Sequence, residues 1–560
     1  MILALTGAPL IILSIIAFIV IIGVIVAIHE GGHFFFAKRA GILCHEFSIG
    51  MGPIIYHKQF GETKFCIRAI PIGGFVSMAG EDTMEDAIKT GTEIGLNLEN
   101  DMVSEIILDD KRECQIRGKV VNIDLYGKDN EELYVTLDNG FQSQYYPVKR
   151  NAFYVFEHNK TLQITPYDRS FESKSLLNRF LTIFAGPVMN FILAIIIYLI
   201  VAFATGVPNY GDNIVGTVSS SLPAASVLKE GDSITYVGDT PINTWVDFEN
   251  ALDAIYDKNE TTITLRIERD GEELDPITIE ATSYIVSIGL SDISKSNKEL
   301  PTGITGVRVG ANNIRYQSNS GNIKAGDIID HVYITEYNNP NTVLYDVDVI
   351  SWSQLIKIFK EIDVANVQFG YYHLKGDDLD LSSRDSYEYV NYKDCSIIEP
   401  YTNEVLNNQR IEKIQQKIGV SPIMHFDFFG CIGSAFTNFW DDFTLIFRTL
   451  KLLIAPSGVR QVGVNDLSGF VGIFSMIETY IGAGLLALLS FSALLSVNIG
   501  VMNLLPIPAL DGGRIFFLFI ELITRKKPSK KIENTVNNIF FILLMILFVY
   551  ITIHDIMRLF

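Results

Sequence analysis

The chain has 560 residues, 48% of them hydrophobic, with a formal net charge of −20 at pH 7. That length allows several domains, and that apolar share is high for a water-soluble protein, so a membrane protein is expected. The acidic balance excludes a nucleic-acid partner, because a phosphate-binding surface needs clustered cations and none of the long polar stretches is basic. Cys44, Cys66, Cys114, Cys395 and Cys431 show neither CxxC nor regular spacing, so no disulfide framework and no thiolate zinc site is expected.

The first element is a membrane span over residues 9–33. Residues 9–28 carry no charge, which is long enough to cross about 30 Å of hydrocarbon. The run exceeds a secretory signal core, lacks a basic stretch before it and has no small-x-small cleavage site, so it reads as a retained span. It ends in AIHEGGH. His29 and His33, at i and i+4, share a helix face and can turn two imidazole nitrogens toward one metal. Glu30, beside the first histidine, can take a proton from a water instead of binding the metal, which makes the stretch an HExxH motif. So short a motif also arises as an ordinary satisfied histidine pair. Its place at the end of an uncharged span decides otherwise, because ionisable groups at membrane depth are costly and point to function. Gly31 and Gly32 each cost a helix interior roughly 1 kcal/mol relative to alanine, but leave room for backbone or substrate near the metal. The second His-Glu pair, His45-Glu46, has Ile49 where another histidine would be needed and carries no such meaning.

Residues 34–80 read as a cytoplasmic segment ending in FCIRAIPIGGFVSMAG (65–80), two short strands around Pro71, Gly73 and Gly74 that suggest a hairpin. Residues 81–178 form a polar, then β-rich insertion, with runs such as KVVNIDLYG and ELYVTLDNG. A second span covers residues 180–204, uncharged throughout.

A weak repeat follows. LKEGDSITYVGDTPINTWVDF, from residue 228, resembles IKAGDIIDHVYI, from residue 323, with VISWSQL further on. Gly231-Asp232 matches Gly326-Asp327, Thr244-Trp245 matches Ser351-Trp352, and the copies reach SIGLS (287–291) and KIGVSP (417–422). The order of strand, strand and Trp-led helix is that of a PDZ domain. It predicts one PDZ-like α+β domain over 211–292 and a divergent one over 293–425, able to bind peptide termini by strand addition or to act as spacers. Residues 426–478 read as an amphipathic linker.

The third span, 480–510, is broken by Asn498, Asn503, Pro506 and Pro508, and a fourth covers 536–555. Catalytic zinc normally has three protein ligands and an open position. Asp511 in NLLPIPALDGGR is the acid at membrane depth that can supply the third. The prolines bar a regular helix there, and irregular backbone at that depth is tolerated where it lines protein or a cavity. Asn503 and Asn498 can hydrogen-bond a reacting carbonyl or its oxyanion, or simply join helices. Basic residues follow the first span (Lys38, Arg39, Lys58, Lys64, Arg68) and the third (Arg514, Arg525, Lys526, Lys527), while the second ends in Asn209-Tyr210-Gly211-Asp212. The positive-inside rule then puts the basic sides in the cytoplasm and both termini outside.

HEGGH, FSIGMGP (47–53), AIPIGGFVSMAGE (69–81), FAGPVMNF (184–191) and NLLPIPALDGG (503–513) together resemble the site-2 protease family of intramembrane zinc metalloproteases, most closely the bacterial regulator of sigma-E protease type with PDZ domains. The resemblance implies zinc held by His29, His33 and Asp511, Glu30 as general base and Asn503 as a substrate contact. It also implies a membrane-associated β-hairpin near 65–80 that holds substrate as an added strand. One departure is LSGFVGI (467–473), where relatives often have proline in place of Phe470. The expected protein is a multi-pass α-helical protein of the bacterial plasma membrane with four transmembrane helices, a cytoplasmic β-hairpin and extracytoplasmic PDZ-like domains. The expected activity is zinc-dependent cleavage of single-pass membrane proteins, such as anti-sigma factors or signal-peptide remnants, in regulated intramembrane proteolysis. A zinc transporter would need further acids or histidines along a path through several spans. A dead scaffold would lack Glu30 or a ligand, and a singly tethered soluble zincin would not place an acid in a distant apolar segment.

Overall fold

The computed structural model describes residues 8–80, 88–128, 131–138, 142–156, 160–219, 222–257, 262–285, 290–291, 306–309, 323, 327–336, 339–361, 364–375, 378–392, 414–454 and 469–558. Among the described residues the helices are α1 (Ala8–Arg39), α2 (Leu176–Thr205), α3 (Trp245–Asp257), α4 (Trp352–Glu361), α5 (Phe428–Ile454), α6 (Phe470–Ala483), α7 (Leu485–Leu504), α8 (Asp511–Thr524) and α9 (Lys530–Arg558). Four of these, α1, α2, α7 and α9, are long and apolar enough to cross a membrane. The chain divides into one compact unit of Met1–Tyr198 with Leu467–Phe560 and another of Leu199–Asp466.

In the first unit α1 has two faces. Ile12, Ile16, Val20 and Val24 form an exposed apolar stripe at helical spacing, as a lipid-facing surface requires, while Ile22, Ile25, His29 and His33 are buried. The span expected over 480–510 is carried by α7, and the shorter apolar helix α6 runs up to it. Gly484, at φ 111°, separates α6 from α7, and α7 stops at Leu504 because Pro506 and Pro508 cannot supply helical N–H donors. Residues 505–510 form a non-helical turn, and Asp511 opens α8. Where an amphipathic linker is expected, α5 and α6 are found. The helix that carries the fourth span, α9, begins at Lys530, ahead of the apolar run expected from 536. Phe470, the departure in LSGFVGI, sits in an aromatic cluster, edge-on to Phe18 at 6.1 Å and to Phe548 at 5.2 Å. On either side of it, the backbone N–H groups of Gly469 and Gly472 donate to Asp555 Oδ2 at 2.8 and 2.9 Å, so a carboxylate from α9 caps the start of α6.

The hairpin expected at 65–80 takes another form. Its two halves both belong to β2 (Thr63–Met78), which pairs with β1 (Cys44–Phe60) and not across Pro71–Gly74. Glu46, Phe47, Ser48 and Ile49 each face two partners, Lys64–Ile67 on one side and Gly74–Ser77 on the other. Gly50 and Gly52, at φ 85° and 83°, turn β1 so that its second half, Ile54–Phe60, pairs with Thr63–Arg68. Beyond it, the expected β-rich insertion contains β3 (Glu93–Glu99), β4 (Met102–Ile107), β5 (Ile116–Asp124), β6 (Tyr134–Asp138), β7 (Ser143–Val155) and β8 (Thr161–Gln163). Their order is β4-β3-β5-β6-β7-β8, and a parallel β4–β7 pairing closes the sheet around Ile94, Leu96, Val103, Ile106, Val135 and Val148. A smaller core of Ala37, Ile42, Val76, Met78, Phe171, Ile183 and Leu518 joins α1, β2, α2 and α8.

The second unit holds two cores. The first gathers Ile234, Ile263, Leu265 and Ile267 under α3, and the second gathers Val332, Ile334, Val367 and Phe369 under α4. Trp245 and Trp352 open the two helices, and Asp232 and Asp327 are both buried, so the repeated residues hold equivalent places. Val420–Pro422, expected to close the second copy, instead pairs with Val215–Val218, and Ile418 joins the first core. The 293–425 boundary thus does not follow the strand pairing, because the last strand returns to the first sheet. Among the described residues Cys44, Cys66, Cys114 and Cys431 are free thiols; Cys395 lies outside the described residues.

Candidate metal centre

His29 and His33 lie one turn apart on the buried face of α1, both only 7% exposed, and Asp511 meets them from the start of α8. His29 Nε2 is 3.1 Å from Asp511 Oδ2, His33 Nε2 is 3.3 Å from the same oxygen, and the two Nε2 atoms are 3.3 Å apart. One ligand atom from each of the three therefore lies within 4.8 Å of the others, and among the described residues no other His, Cys, Asp or Glu group gathers this way. Three such atoms converging on one point, with no hydrocarbon between them, fit a tetrahedral divalent ion with an open position.

The surrounding chain makes the convergence possible. Gly186 of α2 lies against His33: a Cβ there would stand 2.2 Å from His33 Nε2. Reciprocally, a Cβ on Gly32 would stand 2.5 Å from the Ala185 carbonyl oxygen, so a glycine from each helix permits the approach. Gly31 has open space within 4 Å of its missing Cβ, so of the adjacent glycines Gly32 serves packing. Pro187, inside α2, cannot donate to Ile183 and loosens the helix beside the imidazole. His33 Nδ1 donates to the Thr182 carbonyl at 2.8 Å. A carbonyl only accepts, so Nδ1 carries the hydrogen and Nε2 keeps its lone pair for a metal. His29 Nδ1 faces the Asn190 amide at 3.3 Å.

Asp511 is held locally. Gly512 and Gly513 sit where a Cβ would lie 2.1 Å from Leu505 O and 2.4 Å from Ile507 O, and Ala509 adopts φ 75°. The Ala509 N–H donates to Asn537 Oδ1 of α9 at 3.2 Å. Asn503 of α7 places Nδ2 3.5 Å from His29 Nε2, whereas Asn498 is exposed on α7, about 140° around the helix from Asn503. Glu30 is half-buried, and Gly74 of β2 lies so near that a Cβ would stand 3.0 Å from Glu30 Cγ. Sequence reasoning assigned no role to Thr182, Gly186, Asn190 or Asn537. A polar amide, Asn190, in the uncharged 180–204 span was the available sign.

The sequence profile of peptidase family M50 matches residues 17–547. The chain is 30% identical over 553 residues to the zinc metalloprotease RasP of Shouchella clausii, covering 98% of this chain and 99% of that one. It is 30% identical over 551 residues to RasP of Oceanobacillus iheyensis and 27% over 549 residues to RasP of Bacillus licheniformis, with the same coverage. With two imidazoles and a carboxylate meeting inside a bundle of apolar helices, the chain belongs to peptidase family M50, the site-2 protease family, and is an intramembrane zinc metalloprotease.

Proposed function

We propose that this protein hydrolyses peptide bonds within or near the spans of single-pass membrane proteins, anti-sigma factors or signal-peptide remnants among them, in regulated intramembrane proteolysis. His29, His33 and Asp511 hold the zinc, Glu30 is the general base and Asn503 contacts the reacting carbonyl. The observation that carries this reading is the approach of Asp511 Oδ2 to both Nε2 atoms, at 3.1 and 3.3 Å, across 482 residues of chain. When bound, zinc supplies a Lewis acid that polarises a carbonyl and makes water more acidic. Glu30 accepts the proton of the attacking water and passes it to the departing amine nitrogen. The Asn503 amide donates to the oxygen that gains charge.

A peptide bond in a transmembrane helix has its carbonyl already hydrogen-bonded, so several residues must be drawn out before attack. The Gly74–Met78 part of β2 starts beside Glu30 and offers a strand along which an extended segment can lie. The two cores of the Leu199–Asp466 unit are PDZ-like modules that bind peptide termini or exclude bulky proteins. Both chain termini lie outside the plasma membrane, a reading supported by the basic residues after α1 and α8.

The test co-expresses a tagged single-span protein with wild type or Glu30→Gln. Wild type is expected to release a fragment, and the variant to cut about 10²- to 10⁴-fold more slowly. Equal fragment from both would remove Glu30 from the reaction.

A further inference from the structure

Asn190 is the only buried asparagine of α2 that meets the zinc cluster among the described residues, fully enclosed at 0% exposure, and its amide is half satisfied. Its Nδ2 lies 3.3 Å from His29 Nδ1, while its Oδ1 is buried with no hydrogen-bond partner. His29 turns Nε2 toward Asp511 and His33, so a ligating His29 keeps its lone pair there and carries its hydrogen on Nδ1. With Nδ2 toward that ring nitrogen, two donors face each other and a buried acceptor is stranded, an arrangement that costs stability.

The two ends of an amide have nearly the same shape, and turning this one over removes the conflict. Oδ1 then accepts from His29 Nδ1–H, as the Thr182 carbonyl accepts from His33 Nδ1–H at 2.8 Å. We propose that Asn190 is the positioning residue of His29: its Oδ1 fixes the imidazole's tautomer and rotation so that Nε2 is presented to zinc. Both histidines are thus oriented from α2, one by a backbone oxygen and one by a side-chain oxygen. Asn190 touches neither substrate nor the reacting atoms. Its own backbone is fixed independently, since Ser496 Oγ of α7 donates to the Asn190 carbonyl at 2.8 Å, a bond that side-chain substitution leaves in place.

The inference rests on the zinc reading of His29, His33 and Asp511, and the experiment separates the two. Full-length protein in detergent is titrated with zinc against a competing chelator, and the cobalt-substituted form is examined for its d–d spectrum. A wild-type chain that binds neither metal would refute the zinc reading itself. With wild type binding normally, Asn190→Leu, which keeps the branching at Cγ and removes the acceptor, is expected to weaken zinc about 10- to 100-fold and to perturb the cobalt spectrum. Asn190→Asp, which keeps an acceptor toward Nδ1–H, is expected to stay within about threefold of wild type or to bind more tightly. Wild-type affinity in Asn190→Leu would overturn the proposal. If the leucine variant does not fold, the aspartate variant decides alone, and tenfold weaker zinc binding there would overturn it.

Discussion

His29 and His33 arrive on an unbroken helix, whereas Asp511 arrives after a turn at residues 505–510 that no helix can cross. The histidine half depends on long-range docking: Gly186, Thr182 and Asn190, all on α2, press against or bond to rings on α1. The carboxylate half depends on local backbone, with Gly512 and Gly513 folded against Leu505 and Ile507, Ala509 at positive φ, and one bond to α9. The contrast teaches that His33 tolerates no added volume from a distant helix, while Asp511 tolerates none from its own turn.

The sharpest way to break that contrast is Gly186→Ala. Its Cβ would stand 2.2 Å from His33 Nε2, so zinc affinity is expected to fall about 100-fold with helical circular dichroism intact. Gly31→Ala, whose Cβ meets nothing within 4 Å, should bind zinc within about threefold of wild type. Equal loss in the two would end the docking argument. On the other side, Gly512→Ala forces a Cβ to 2.1 Å from Leu505 O and should cost about tenfold in zinc affinity, measured by the same titration. Asn537→Leu removes only the acceptor of the Ala509 N–H, worth about 1 kcal/mol, or roughly fivefold in zinc binding.

The smallest effect concerns the far end of α1. Glu62 accepts from Arg169 at 2.7 Å and Lys38 at 2.6 Å, and the Arg169 hydrogen bond above all, then Lys38, holds its carboxyl down at about 2 against an ordinary 4.5. A depressed carboxyl contributes stability that is present above about pH 4.5 and disappears as pH falls toward 2. Thermal unfolding of wild type should lose that increment across this window, and Glu62→Gln should lack it at every pH. A variant that keeps the same acid dependence would assign it elsewhere.

Much of the centre was legible in the chain because the chemistry is local or costly. His29 and His33 share one helix turn, and Asp511 is an acid amid apolar residues. The two prolines that stop α7 also foretold the turn that carries it. Less legible was whatever depends on which surfaces meet. Gly186 reads as a generic helix weakener until His33 is seen beneath it, and Asn537 gives no sign that it reaches Ala509. The same holds for β1 and β2, whose alternation suggests strands but not the double pairing of Glu46 with Ser77 and Lys64. In the second unit the matched Trp245 and Trp352 announced two related helices, but pairing of Val420–Pro422 with Val215–Val218 joins strands some two hundred residues apart, beyond any periodicity.

The last helix shows most of its apolar side chains to the outside, yet it grips two distant turns: Asn537 holds the one before Asp511, and Asp555 the one that starts α6. The turn before Asp511 and the start of α6 therefore both depend on α9. A chain cut after Pro528 is expected to insert and yet stay metal-poor, which elemental analysis of the purified fragment would show; full zinc content there would mean the closing segment is merely an anchor.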